Sequence, residues 1–127
     1  MKTRMNETFA AHYNDICRYI AHSAFEKIKK ELQDDEWDDE DIWLNAIFNM
    51  VVEINNGESK DVIAHKIFNE FLLVGYEVEI CDLRELVNLI NSLCKQELLA
   101  VHIAGMAFEL GATPEIALAR VREILSL

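Results

Sequence analysis

The sequence predicts an all-α fold, a compact bundle of five to six helices with a long first helix and one short extended segment near 74–80. The first observation is periodic: apolar residues recur at spacings of three and four along most of the 127-residue chain, as on one face of a helix. The second is compositional. Apolar residues make up 51% and charged residues 28%, with one proline and four glycines, which fits one globular domain and neither a collagen-like nor a disordered chain. We therefore expect residues 1–127 to form a single acidic all-helical domain.

The first helix is predicted from about residue 7 to residue 32, because its apolar stripe keeps helical spacing over that whole stretch. Asn6 or Thr8 can open it. Residues 33 to 38 are too polar to be buried, and we expect them to form a loop.

The second and third helices have start and stop signals. Asp38 or Asp39 is expected to cap the second helix, because a carboxylate there accepts hydrogen bonds from free backbone N–H groups and faces the positive end of the dipole. Asn55-Asn56-Gly57 predicts its end. Ser59 is expected to cap the third helix, and Gly75 to end it.

The segment near 74–80 alternates apolar residues with polar or small ones, as a strand does. A single strand cannot satisfy its own backbone hydrogen bonds. The segment is therefore either an extended linker packed on the core or an edge that pairs with a copy of itself. The linker is the preferred interpretation, because short connections are common between elements of compact domains.

Three more helices are predicted after this segment. Asp82-x-x-Glu85 is similar to a capping box and predicts the start of the fourth. Lys95-Gln96-Glu97 is a polar interruption before the fifth, which ends at Gly111. Thr113-Pro114 places a capping hydroxyl before a proline at the first helical position and predicts the start of the sixth.

Several single residues are assigned structural roles. Lys27, Lys29 and Lys30 suit the negative end of the first helix dipole. Gly105, inside the fifth helix, is expected to allow a neighbouring helix to approach closely. His102 lies in a mostly apolar stretch and is expected to be a hydrogen-bonded core residue.

The charge is concentrated in one place. The chain carries 12 Lys plus Arg against 23 Asp plus Glu, a net charge of −11. Residues 31–41, which we call the acidic segment, contain eight carboxylates and no base. Such a balance disfavours direct binding to nucleic acid or to an anionic membrane, because both rely on cationic side chains. It favours a basic protein partner.

The leading hypothesis is that the acidic segment binds this partner. Trp37 would be the aromatic anchor, and Asp41 would cap or support the second helix. The carboxylates expected to steer and pair with Arg or Lys are Asp34, Asp35, Glu36, Asp38, Asp39 and Glu40. Two simpler interpretations stay open: the segment is a solvated loop that stabilises a helix start, and Trp37 is a staple that folds the loop back.

The cysteines and the chain start indicate a compartment. Cys17, Cys81 and Cys94 are odd in number and form no C-x-x-C pair, which is typical of neither a disulfide framework nor a zinc module. We see no secretory signal and no stretch long and apolar enough to span a bilayer. A cytoplasmic location is therefore expected, with Cys17 and Cys94 buried as small apolar residues.

Other chemistry has weak support in the sequence. The acidic segment lacks the glycine and the alternating oxygens of a calcium loop, and the four histidines form no zinc pattern. We expect no metal and no cofactor. Glu36-x-x-Asp39 and Glu79-x-x-Asp82-x-x-Glu85 have the residue types of a magnesium site, but helix capping also explains them.

The sequence thus predicts a cytoplasmic, non-enzymatic adaptor or inhibitor that binds a basic protein surface, such as that of a nucleic-acid-processing protein. In charge and size it is similar to toxin-immunity proteins and phage-encoded inhibitors, which is an analogy only. One alternative is a homodimeric structural or regulatory module, assembled through helices five and six or through 74–80. A further alternative is a magnesium-dependent all-α nucleotide pyrophosphohydrolase.

Overall fold

The computed structural model describes the backbone of residues 2–32 and 39–126, and the side chains of residues 14–32 and 39–126. The all-helical class is confirmed: the described part of the chain forms six helices and contains no strand. In chain order these are α1 (Lys2–Leu32), α2 (Glu40–Asn55), α3 (Lys60–Leu73), α4 (Ile80–Leu93), α5 (Lys95–Glu109) and α6 (Pro114–Leu125).

Local signals set several of the helix ends. The Ser59 hydroxyl accepts a hydrogen bond from the Val62 backbone N–H at 3.3 Å, and Thr113 accepts one from Ile116 at the same distance. Both caps are as predicted, and each satisfies a first-turn donor that has no partner within its helix. The chain turns at Gly57 with φ +82°, a conformation that costs other residues steric strain.

Two predicted helix starts are wrong, and one predicted capping hydrogen bond is not made. Asp39 precedes α2, but its side chain makes no capping hydrogen bond. α4 begins at Ile80 after Glu79 and not at Asp82. The predicted interruption at 95–97 is the first turn of α5, which begins directly after Cys94. In α4 and α5, polar residues suggested a boundary at a place where the backbone is already helical.

Residues 76–79, within the segment predicted to be extended, belong to neither a helix nor a strand. Tyr76 and Val78 are half-buried against the core, whereas Glu77 and Glu79 are exposed. The predicted alternation thus corresponds to alternate packing on the core. Pairing with a copy of the same segment stays a prediction.

One continuous hydrophobic core joins all six helices. α5 lies against α1, α2 and α6, and α3 lies against α4. The largest fully buried apolar side chains of this core are Phe25, Ile20, Ile28, Ile47, Met50, Ile63, Ile67, Leu83, Ile90, Val51 and Val87.

Several burial predictions are wrong. His102 is exposed and is not a core histidine. Leu72 and Ile116 lie on predicted apolar stripes but are 58% and 57% exposed. A Cβ at Gly105 would meet no atom within 4 Å, so no neighbouring helix approaches this glycine within the described chain. The predicted stripes were wider than the faces that the bundle covers.

Candidate partner-binding surface

The acidic segment is only partly within the described structure. Asp34, Asp35, Glu36, Trp37 and Asp38 lie outside the described residues, so the structure does not test them. Asp39 and Glu40 are exposed, and neither takes part in an ion pair with another described residue. Asp39 directly precedes α2, and Glu40 is the first residue of that helix.

The start of α2 is held by its backbone and by one ion pair. Asp39 adopts the left-handed conformation with φ 54°, and its carbonyl accepts hydrogen bonds from the N–H groups of Ile42 and Trp43. The Arg18 guanidinium of α1 donates to Asp41 Oδ1 at 2.7 Å. Asp41 therefore links the start of α2 to α1, which agrees with the supporting role predicted for it and not with the capping role. The pair is largely exposed and contributes little to stability.

A groove of about 580 Å³ opens beside this ion pair, between α1, α2 and α3. We call it the α2–α3 groove. Its rim is polar, with Arg18 and Asp41 at one end and the Asn49 amide donating to Glu70 Oε2 at 3.3 Å further along. The residues lining it are Arg18, Asp41, Ile42, Asn45, Ala46, Asn49, Ile67, Glu70, Phe71, Leu73 and Val74.

An aromatic cluster supports the apolar floor of the groove. Phe71 packs on Trp43 with ring centroids 5.0 Å apart and on Tyr76 at 5.4 Å. The Trp43 indole Nε1–H donates to the Tyr76 hydroxyl at 3.1 Å. This hydrogen bond satisfies the polar ends of two half-buried rings and restricts their orientation. The floor is therefore a preformed surface.

The end of α3 forms an exposed hydrophobic lip on the groove, consisting of Leu73 and Val74. Leu73 is 87% exposed and Val74 63%. The lip lies in acidic surroundings: residues 67–83 contain Glu70, Glu77, Glu79 and Asp82 and no Lys or Arg. Apolar side chains surrounded by like charge suit a partner with an apolar anchor and basic flanks.

A buried polar centre lies elsewhere, between α1 and α5. Glu97 is 0% exposed, and its carboxylate contacts Lys27 Nζ at 2.8 Å and 3.0 Å. The Ser23 hydroxyl donates to Glu97 Oε1 at 2.7 Å, and Lys27 also donates to Gln96 at 2.9 Å. Sequence reasoning missed this centre. Glu97 shares a helix face with buried Val101 and Ala104, and that spacing was the available signal.

Cys94 adjoins the same centre. Burial, with a smaller contribution from the Glu97 charge, raises the pKa of its thiol to about 12. The thiol is therefore protonated and unreactive at neutral pH. Cys17 is also buried, as predicted, and Cys81 is exposed. All three cysteines lie within the described residues, and none of them forms a disulfide.

The described residues give one group of close metal-ligating side chains. Ligand atoms of Glu79, Cys81 and Asp82 lie within 4.8 Å of one another, and all three residues are exposed. The Cys81 thiol lies 3.5 Å from Glu79 Oε2, and this hydrogen bond raises its pKa. Glu85 is not part of the group. The magnesium-dependent hydrolase stays a prediction.

No protein-family model matches this sequence, and the searches of curated proteins and of solved structures found no match. Within the part of the chain that the structure describes, no helix combines the length and apolarity needed to cross a bilayer.

Proposed function

We propose that this protein is a non-enzymatic acidic adaptor or inhibitor that binds a basic protein surface through the acidic segment and the start of α2. The observation that carries the proposal is one of position. The last residue of the acidic segment, Asp41, lines the α2–α3 groove, which offers an apolar floor and lip. A nucleic-acid-processing protein is a partner of the required charge, and a cytoplasmic setting is part of the proposal.

Charge supplies the long-range part of this interaction. Eight carboxylates repel one another within eleven residues, which costs stability unless a cation is bound. Asp39 and Glu40 are exposed to solvent. They attract a cationic partner while both carboxylates are still hydrated, so no desolvation of these groups is needed before contact. Such charges raise the association rate more than they lower the dissociation rate.

The groove supplies the short-range part. Its one arginine, Arg18, is already neutralised by Asp41, and Glu70 lies at its rim. The lining of the groove therefore has a net negative charge, that of Glu70, and Asp39 and Glu40 come directly before Asp41 in the chain. Leu73 and Val74 offer apolar area that a charged surface alone would not provide.

The experiment uses a cationic amphipathic peptide as a probe. A labelled Lys/Leu helix of about 18 residues, about 27 Å long, is titrated with the full chain, and binding is followed by fluorescence anisotropy. A Lys/Ser peptide of equal charge tests whether the apolar lip contributes. A Glu/Leu peptide tests whether apolar contact alone is sufficient.

Charge reversal locates the binding surface. We expect Asp39→Lys with Glu40→Lys to weaken Lys/Leu binding by at least about tenfold, which is 1.4 kcal/mol. The matched control is Glu26→Lys with Glu115→Lys, which changes the net charge equally at exposed sites on α1 and α6. Equal weakening by both double variants means that only net charge matters. Unchanged binding by the first overturns the proposal.

A further inference from the structure

A second surface, on α5, has the opposite character. Leu99, Met106 and Leu110 are 46%, 44% and 80% exposed, and Ile103 between them is half-buried. Successive members are four, three and four residues apart, and Leu110, the residue after α5, keeps a right-handed helical conformation, so the four lie on one narrow stripe. We call these four residues the α5 seam. The opposite face of α5 carries the buried Ala100, Val101 and Ala104 and packs on the core.

The spacing of the seam is that of a coiled-coil interface. Alternation of three and four places residues at the a and d positions of a heptad, where side chains of one helix insert between those of another. An exposed a/d stripe on a helix already packed into its own bundle is available to a further helix. Leu99 and Met106 keep nearly half of their surface exposed, and Leu110 keeps four fifths.

The seam is also free of charge in a strongly charged protein. Residues 98–108 contain no Asp, Glu, Lys or Arg, whereas the chain as a whole has a net charge of −11. A basic partner of the kind proposed for the acidic segment would find no complement here. An apolar surface, such as the same seam on a second copy of the chain, would be complementary to it.

We propose that the α5 seam binds the α5 seam of a second copy of this chain in antiparallel orientation. A two-fold axis near the middle of the seam places Leu99 opposite Leu110 of the second copy, and Ile103 opposite Met106 of the second copy. Each layer then pairs two large apolar side chains of the types that a coiled-coil interface uses.

The charges beside the seam favour the antiparallel orientation. Lys95, His102 and Glu109 are exposed and are seven residues apart, so they share one flanking heptad position. About this axis, Glu109 of the second copy lies level with residue 100, between Lys95 and His102 of the first copy, and the axis produces this arrangement twice. Parallel pairing would instead place like charges at the same level, and it would align the two helix dipoles unfavourably.

The interface is small. Stable interfaces bury about 800 Å² on each partner, and a seam on one helix supplies only part of that area. We therefore expect a dimer that forms and dissociates with concentration. This inference does not depend on the proposed function, because it uses a different helix and a second copy as the partner.

Sedimentation velocity over about a hundredfold range of concentration tests the proposal, with light scattering to give the mass. The wild-type chain should shift from monomer to dimer. Met106→Glu should raise the dissociation constant at least about tenfold, because it places a charge in the seam. The matched control, Leu72→Glu on α3, replaces another exposed apolar residue and should leave dimerisation unchanged. If Met106→Glu lowers helical content by circular dichroism, Leu110→Gln replaces it, because Leu110 is the most exposed member.

A charge exchange tests the orientation. Lys95→Glu and Glu109→Lys should each weaken the dimer, and the double variant should restore it. A chain that stays monomeric throughout contradicts the proposal, as does a dimer that survives the seam variants or is lost equally in Leu72→Glu. A double variant as weak as the singles contradicts the antiparallel orientation.

Discussion

Replacing Lys27 by Met should destabilise the fold strongly, because it leaves the Glu97 carboxylate buried without its cation. Glu97 is 0% exposed, and Lys27 is the only base that forms an ion pair with it among the described residues. Met keeps most of the apolar stem of the lysine and removes the ammonium group. The substitution therefore tests charge pairing more than packing.

The expected loss follows from the geometry. Removing one partner of a buried ion pair costs about 3–5 kcal/mol. The Lys27 side chain is 36% exposed, and Ser23 continues to donate to the carboxylate, so we expect a smaller loss of about 2–3 kcal/mol. For a chain of 127 residues this lowers the melting temperature by about 8–12 °C.

Urea unfolding at neutral pH measures this loss, and a double variant supplies the control. Glu97→Met combined with Lys27→Met removes both charges, and similar apolar replacements of buried pairs are often neutral. We expect the double variant to unfold within about 1 kcal/mol of the wild-type free energy. A loss below about 1 kcal/mol for Lys27→Met alone would show that water reaches the carboxylate. A double variant that loses the sum of the single effects would show that the two charges are not coupled.

Three further predictions concern stability. The Cys94 thiol has a pKa near 9.0 in the unfolded chain and about 12 in the folded chain. Between these two pH values only the unfolded chain loses the proton. The free energy of unfolding should therefore fall by up to about 1.4 kcal/mol per pH unit as the pH rises through this range. Urea unfolding of Cys94→Ala should lack this decline, and an equal slope in both proteins would contradict it. Gly105→Ala should raise the free energy of unfolding by about 0.5–1 kcal/mol, because Gly105 is helical and a methyl group there would enter open space. Gly57→Ala should lower the free energy of unfolding, because φ is +82° at this position. A change of the same sign in both variants would contradict these two backbone conformations. Ser59→Ala and Thr113→Ala should each cost about 1 kcal/mol in thermal unfolding, and no loss would mean that the caps are not formed.

Local features of the fold were the most predictable from sequence. Ser59 and Thr113 cap their helices through hydrogen bonds to residues three positions later, so the sequence nearby determines them. Gly57 acts through its own backbone conformation. Asp39 is the instructive exception, because it lies at a helix start in the left-handed conformation and its side chain makes no capping bond.

Features that depend on distant residues were not predictable. Glu97 meets Lys27 and Ser23 across 70 and 74 residues of chain, and a polar residue near a helix start gives no sign of such partners. Only the shared face with buried Val101 was a local indication. The α2–α3 groove depends likewise on how three helices meet.

The candidate site was predictable in its charge but not in its shape. Composition alone identified residues 31–41, and of the seven residues proposed to contact the partner, Asp39 and Glu40 lie within the described structure. Asn45, Asn49 and Glu70 were overlooked because, in sequence, they are ordinary polar positions on helices. Their importance comes from lining a groove.

A ¹H–¹⁵N shift map of the wild-type chain, recorded as the Lys/Leu peptide is added, tests the central claim most directly. We predict that the largest changes centre on residues 31–41 and continue along the α2–α3 groove to Leu73 and Val74, and that they fade as salt is raised. Changes that centre on α6 or on the α5 seam, with residues 31–41 unaffected, would contradict the account.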